Sequence, residues 1–334
     1  MAEHPVVAVL IPEPTRSRII STASEEQLAS LAIVRLAAGP ASTWDLGSLL
    51  ARATACLTGW GTPPITEDVL AAAPTVRLVA HTAGSVRSLL PAAAIGTRIR
   101  VTHAAALIAP AVAEMVILQI LTCLRKLHRL DSGLRNGVPW SSLCEAYPGR
   151  LLRGLVVGVV GASQTGRETI QLLLGLRARV VVFDPTLDAR GAVKLGVELA
   201  TLDDLLTQSD IVTLHAPVLA GTRGMIGARE LGLLHDGALL INSARAALVD
   251  SVALFAELRS GRIEAALDVF DTEPIPENSE LRRLETAVIS PHMAGHTIET
   301  HWQQGSAMVE EVCRFLRGDA LRYEILPNRI ADMA

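Results

Sequence analysis

The chain has 334 residues, enough for about two domains at roughly 100–200 residues each. Half of the residues are apolar and 19% are charged, which excludes long disordered stretches. The formal net charge of −4 leaves no whole-protein basic field for nucleic acid or an anionic membrane. Of the 30 basic residues only Lys126 and Lys194 are lysines, so one arginine carries little information unless its position is special.

The opening MAEHPVVAVLIPEP has an apolar run stopped by Pro12 and Pro14, with no Lys or Arg before it; it reads poorly as a signal peptide. Val6–Ile11 suits a strand covered on both faces. Ser24, followed by Glu25, Glu26 and a periodic apolar set through Ala37, predicts a capped helix ending at Gly39-Pro40. Thr66-Glu67-Asp68 opens another helix that ends near Pro74, and Arg77–His81 and Ile99–Thr102 predict short strands. Alternating β and α segments imply an open parallel sheet.

The most membrane-like stretch, Ala104 to Leu124, carries Pro110, Glu114 and Gln119, and reads as a buried helix rather than a span. A helix is expected from about Pro110, where proline is tolerated at a helix start, to Arg129. Asp131–Gly154, with Trp140 inside it, is rich in Gly, Pro, Ser and Arg and predicts an exposed arm. Cys56, Cys123, Cys144 and Cys313 share no CxxC or Cys/His spacing. They suit reduced core thiols of a cytoplasmic protein, and no metal site is expected.

From Leu155 the pattern sharpens. Val156–Val160, Val180–Phe183, Ile211–Leu214, Ala238–Ile241, Ala265–Asp268 and Ala287–Ile289 are apolar strands separated by helix-length segments. They form a second doubly wound unit of about six strands. Glu299–Leu316 is helical and long enough to return to the first domain.

Gly161-Ala162-Ser163-Gln164-Thr165-Gly166 lies between a strand and a helix. Its first glycine permits a tight turn, its last lets helix and strand pack closely, and the helix N-terminus suits a pyrophosphate. Asp184 follows 18 residues after Gly166, placed to accept from both ribose hydroxyls of NAD and to repel the 2′-phosphate of NADP. Ser163 stands where the motif has its middle glycine; its side chain either narrows the approach of the pyrophosphate or donates to it.

Three charged groups lie just past strands, where ligands of such sheets bind: Arg245 after Ala238–Ile241, Glu273 after Ala265–Asp268, and His292 after Ala287–Ile289. A guanidinium can hold a carboxylate or polarise a carbonyl. A histidine can pass a proton to a carbonyl oxygen, and a neighbouring carboxylate orients it and favours its charged form. Singly, Arg245 suits a surface, Glu273 a solvated acidic loop and His292 a loop cap. Their shared place at the strand ends of one sheet is what singles them out.

The segments LVVGVVGASQTG, VVFDP, LHAPVLAGTRGMIG, LLINSARAALVD, AALDVFDTEP and SPHMAGH resemble those of the D-isomer-specific 2-hydroxyacid dehydrogenase family, over about Gly59 to Arg317. The resemblance implies an α/β fold of two doubly wound parallel-sheet domains, a Rossmann NAD-binding domain inserted in a flavodoxin-like substrate domain. It places the substrate domain at 1–106 and 300–334. The NAD-binding domain takes 107–299, with a homodimerisation arm at about 131–154. It makes Arg245 the substrate-binding arginine and Glu273 and His292 the acid–base pair. Cofactor-binding positions are Gly161, Ser163, Gln164, Thr165, Gly166, Asp184, His215, Ala216, Pro217, Thr222, Ser243, Ala244 and Asp268, the last toward the nicotinamide carboxamide.

The family loop that holds the substrate carboxylate through backbone N–H groups corresponds to Thr82-Ala83-Gly84-Ser85-Val86, with Ala83, Gly84 and Ser85 as the binding positions. It makes an anion nest if Gly84 takes a positive φ. The usual Gly-Val-Asp-Asn continuation is replaced by Gly84-Ser85-Val86-Arg87, and Ala246 replaces a glycine after the arginine. His296 and Trp302 fall within reach of a pocket rim, Trp302 packing the returning helix. The activity expected is NAD-dependent interconversion of a 2-keto acid and a D-2-hydroxy acid, with glyoxylate, hydroxypyruvate, pyruvate-like and aryl acids all open. Two rivals remain: an NAD(H)-sensing corepressor or scaffold of the same fold, and a methyltransferase using the glycine turn for S-adenosylmethionine.

Overall fold

A computed structural model describes residues 4–327; residues 1–3 and 328–334, the outer ends of the expected substrate domain, lie outside them. The chain divides into two compact units. One comprises the described residues up to Ile108 and from His296 onward, the other Ala109–Gly295.

The first unit holds β1 (Val6–Leu10), β2 (Ile33–Leu36), β3 (Ala53–Thr58), β4 (Leu78–His81) and β5 (Arg100–His103). They form one parallel sheet in the order β2-β1-β3-β4-β5, the flavodoxin-like order. The inner strands are apolar on both faces because both are covered. Val7, Val9, Leu57 and Ala80 meet Met308, Val309 and Val312 of the helix Ile298–Arg317. Ala8, Leu10, Cys56, Val79 and Val101 meet Leu50 and Leu70 on the other side. That long helix lies so close to the helix Thr15–Ile19 that a β-carbon at Gly305 would overlap the Ile19 carbonyl oxygen.

Two expectations for this unit are corrected. The helix predicted from Ser24 to Ala37 is only Thr22–Ala29, capped by Ser21, and Ile33–Leu36 is the edge strand β2. The β-branched Ile33-Val34 pairs in parallel with β1, and that pairing outweighs the helical spacing of the apolar residues. β3, the strand between β1 and β4, was not predicted: its sequence, ATACLT, has no β-branched run, and its burial comes from neighbours on both sides.

The second unit holds β6 (Val156–Val160), β7 (Arg179–Phe183), β8 (Glu198–Leu199), β9 (Ile211–Leu214), β10 (Leu239–Asn242), β11 (Glu264–Leu267) and β12 (Ala287–Ile289). All pair in parallel in the order β12-β11-β10-β9-β6-β7-β8. This is the Rossmann winding with one further edge strand. The order reverses direction at β6/β9, so the crevice beyond the carboxyl ends of these two strands is the expected ligand position. The sheet has seven strands, not six; β8 has only two residues, Glu198 and Leu199, too few to carry a pattern.

Pro110 lies inside the helix Ala105–Leu124 rather than at its start. The Ala104 carbonyl already accepts from Leu107 and Ile108 N–H, so the helix begins a turn earlier, and the ring removes one internal bond. The helix stops before Arg129 because Lys126 adopts a left-handed φ of 52°, and Leu127–Arg135 starts a new one. By length and composition Ala105–Leu124 could cross a membrane. Its residues Val116, Ile120, Cys123 and Leu124 instead form core with Val157, Val159 and Ile241 of the sheet. The expected arm is exposed and half helical, with Trp140–Ala146 as a second short helix.

Candidate functional site

The glycine turn leaves β6 and enters the helix Gln164–Gly175. Gly161 has φ +99°, and a β-carbon there would lie 2.7 Å from the Ala216 nitrogen, so only glycine fits. A β-carbon on Gly166 would collide with the Gly161 carbonyl oxygen. Ser163 is extended (φ −61°, ψ 179°), a conformation open to any residue, and caps the helix by accepting from Gly166 N–H at 3.3 Å. Its lone pair is committed to the helix, while its hydroxyl hydrogen can still donate outward. The turn therefore retains the two glycines that a dinucleotide cradle needs, and Ser163 does not disturb its backbone.

Asp184 ends β7 and ties the turn down. One oxygen accepts from Ala162 N–H at 2.6 Å, the other from the Thr186 N–H and hydroxyl at 2.7 Å each. Burial pushes its carboxyl up, but the bonds from Thr186 and Ala162 prevail and hold it below the usual range, so it stays ionised. Arg167, which the sequence reading passed over, donates to the Ala162 carbonyl at 2.9 Å and lowers the Asp184 carboxyl further. Its signal was its place directly after Gly166.

His215 is buried and shares a hydrogen with the Thr213 hydroxyl at 3.0 Å. Burial pulls its imidazole down to about 4, leaving it neutral at pH 7. The Ala216 amide packs on Gly161. The Thr222 hydroxyl donates to the Pro217 carbonyl at 2.5 Å and accepts from Leu219 N–H at 2.8 Å, closing its own loop.

Beyond β10, Asn242 braces the next peptides: its Oδ1 accepts from Ala244 N–H at 3.1 Å and its Nδ2 donates to the Arg245 carbonyl at 2.9 Å. The Ser243 hydroxyl donates to Gln119 Oε1 at 2.8 Å. Gln119, the buried polar residue of an apolar helix, reaches Ser290 through a long 3.5 Å contact, and Ser290 Oγ donates to Asp268 at 2.5 Å. One buried polar chain thus joins the ends of β10, β11 and β12.

Asp268 anchors this chain. It is fully buried, and besides Ser290 it accepts from Met293 N–H at 2.9 Å and Ala294 N–H at 2.8 Å. Those bonds close the turn that holds His292 at a left-handed φ of 53°, a conformation costing a non-glycine residue roughly 1 kcal/mol. The His292 ring then meets Glu273, Nδ1 to Oε2 at 2.7 Å. Glu273 Oε1 accepts from Phe270 N–H at 2.9 Å. Burial pushes the Glu273 carboxyl up, but the His292 bond, the Phe270 amide and the Arg245 charge bring it below the usual range. Burial lowers the Arg245 guanidinium and Glu273 partly offsets this; an arginine remains charged. Arg245 Nη1 donates to the Ala244 carbonyl at 2.6 Å. Glu273 thus bonds His292 directly and feels the charge of Arg245. The imidazole and carboxylate side chains remain 48% and 36% exposed.

In the first unit, Gly84 is not among the glycines with positive φ, so the anion nest expected from a left-handed Gly84 does not form. The peptide directions are set instead by bonds to the loop's carbonyls: Ala104 N–H to Ala83 O at 3.1 Å and His103 Nδ1 to Gly84 O at 2.9 Å. His296 stacks on Trp60 with ring centroids 4.5 Å apart, and His301 meets both edge-on. Trp302, expected to pack the returning helix, is 53% exposed; Trp60, after β3, is the tryptophan in this cluster, and it went unread with that strand.

Asp268→Asn tests the anchor. An amide N–H₂ faces donors that need an acceptor, and leaving a buried donor without one costs about 1–3 kcal/mol. Urea unfolding should show a loss of about 2 kcal/mol or more. Unchanged stability would show that Asp268 does not hold the turn.

The model of the family described as D-isomer specific 2-hydroxyacid dehydrogenase, NAD binding domain, matches residues 117–294. The chain is 32% identical over 256 residues to a D-3-phosphoglycerate dehydrogenase of Mycobacterium leprae, covering 76% of this chain and 48% of that protein. It is 32% identical over 273 residues to a glyoxylate reductase of Korarchaeum cryptofilum, covering 80% of each. Among solved structures it is similar to a phosphoglycerate oxidoreductase from Rhizobium etli, with TM-score 0.74, 30% identity and coverage of 96% and 97%. The chain spans about half the length of the D-3-phosphoglycerate dehydrogenases it matches. By the family match and these relatives, the chain belongs to the D-isomer specific 2-hydroxyacid dehydrogenase family.

Proposed function

We propose that the chain interconverts a 2-keto acid and a D-2-hydroxy acid with NAD, the acid being glyoxylate, hydroxypyruvate or a relative. The observation that carries this is the 2.7 Å His292–Glu273 bond, with Arg245 acting on the same carboxylate, in the unit that also holds the glycine turn. NAD would be held by Gly161, Ser163, Gln164, Thr165 and Gly166, by Asp184, by His215, Ala216, Pro217 and Thr222, and by Ser243 and Ala244. Asp268 would act there mainly by fixing the turn around His292. When bound, the reduced cofactor supplies a hydride.

The roles of the chain's own groups follow from their partners. Glu273 holds the His292 Nδ1 side, so Nε2 faces the reaction. In reduction, protonated His292 gives the Nε2 proton to the carbonyl oxygen, and Glu273 stabilises the imidazolium before transfer. In oxidation, neutral His292 takes that proton. Arg245 directs N–H bonds to the substrate and stabilises negative charge growing on its oxygen. The Ala83, Gly84 and Ser85 segment binds the substrate carboxylate, residues 1–106 and 300–334 being the substrate domain and 107–299 the NAD-binding domain.

Mixing the protein with NADH and a panel of 2-keto acids, and following cofactor absorbance, tests this. Turnover is expected with at least one acid, falling about 100- to 1,000-fold in Arg245→Ala. NADH is expected to be preferred over NADPH, with the preference relaxed in Asp184→Ala. NADH binding without turnover on any acid would favour the corepressor or scaffold reading, and binding of S-adenosylmethionine instead would favour a methyltransferase.

The second unit exposes Leu118, Leu127, Leu134, Val138, Leu151 and, at 73%, Trp140. Exposed apolar residues such as Leu134, Val138, Trp140 and Leu151 within one segment suit a protein contact, and the arm at about 131–154 would pair two copies in a cytoplasmic homodimer. Light scattering should give twice the chain mass, shifting toward one chain in Trp140→Asp; a monomer in the unmodified protein would refute the pairing.

A further inference from the structure

The loop after β4 has its carbonyls tied down one after another. The Ala83 carbonyl accepts from Ala104 N–H at 3.1 Å, and the Gly84 carbonyl meets His103 Nδ1 at 2.9 Å. The Ser85 carbonyl is bonded by the His81 ring, whose Nδ1 is in turn engaged by the Thr58 hydroxyl at 3.0 Å. A carbonyl only accepts, so each ring presents an N–H to it. At His81 this leaves Nδ1 to accept from Thr58.

At His81 this arrangement requires the neutral ring, since Nδ1 accepts from Thr58. Burial lowers the His81 imidazole to about 4 and lowers that of His103 as well. A neutral ring carries one N–H, and in both residues it is spent on the loop.

The consequence is stereochemical. These peptide bonds are trans, and in a planar trans peptide the N–H points opposite to the C=O. Drawing the Ala83, Gly84 and Ser85 carbonyls toward Ala104, His103 and His81 turns the Gly84, Ser85 and Val86 amides the other way. The Gly84 and Val86 amides find no acceptor among the described residues. Val86 is buried, and a buried amide without an acceptor is costly unless something else supplies one.

We propose that His103 and His81 are positioning residues that aim the Gly84–Val86 amides at the substrate carboxylate, doing with two side chains what a left-handed glycine would otherwise do. This rests on the proposed 2-keto acid reaction and adds the groups that build its carboxylate site. The two histidines lie at paired positions of β4 and β5, His81 opposite His103, so one sheet register sets both. Neither touches substrate, and their effect falls on binding common to ground and transition states, which moves KM more than kcat.

The test uses His103→Leu and His103→Asn in the full-length protein. Asn places an amide nitrogen close to where His Nδ1 lies, so it keeps the donor that Leu removes. For the leucine variant, KM for the best 2-keto acid should rise about 10- to 100-fold with kcat changed far less. Oxamate, an unreactive carboxylate, should bind more weakly by the same factor in calorimetry, with NADH affinity unchanged. The asparagine variant should recover most of both. Unchanged KM and oxamate affinity in His103→Leu would overturn the assignment, as would an asparagine variant as impaired as the leucine one. The two readings fail differently: no turnover by the unmodified protein counts against the reaction, whereas oxamate binding that responds to His103 still upholds the loop.

Discussion

One buried carboxylate governs the charged site. Asp268 takes a hydroxyl and two backbone amides from the single turn Ser290–Ala294, and that turn carries His292 in a backbone conformation it would not adopt alone. Within the turn a backbone bond also runs from His292 N–H to the Ser290 carbonyl at 3.0 Å, so the Asp268 bonds carry most of its closure. With them, the imidazole is delivered to Glu273, and Glu273 in turn lies under the influence of Arg245. The placement of the half-exposed His292 ring therefore depends on a carboxyl group with no exposure to solvent.

The same division between buried acceptors or donors and outward-facing groups recurs elsewhere. At the glycine turn, Asp184 and the Ser163 hydroxyl oxygen are spent on the Ala162 and Gly166 amides. At the loop after β4, two neutral histidines are spent on carbonyls. In each case a polar side chain fixes peptide directions. Fixing the dipoles in advance lowers the reorganisation needed when an anion arrives.

Much of this was legible in the sequence because it depends on local pattern. Most strands of the second unit carry an apolar run, and the glycine turn, Asp184, Arg245, Glu273 and His292 each follow shortly after a strand end. What escaped had no local mark. β3 is alanine-rich and is buried only because strands lie on both sides. β2 shares its apolar spacing with a helix, and only pairing with β1 decides between them. Gln119 read as a polar interruption in an apolar helix, whereas it joins Ser243 to Ser290. The left-handed Gly84 on which an anion nest depended was suggested by the family resemblance of the loop, and not by any pattern local to it. His81 and His103, which set that loop, are 22 residues apart in sequence and become neighbours only through the β4–β5 register.

The central claim is that the Asp268-anchored turn presents His292 with its Nδ1 proton on Glu273 before any ligand binds. Proton and nitrogen-15 resonances of the histidine rings, assigned by comparison with His292→Asn, measure this directly. The expected result at neutral pH is a strongly downfield Nδ1 proton from His292 that disappears in Glu273→Ala. A His292 ring protonated on Nε2 alone, with a spectrum indifferent to Glu273, would contradict the account.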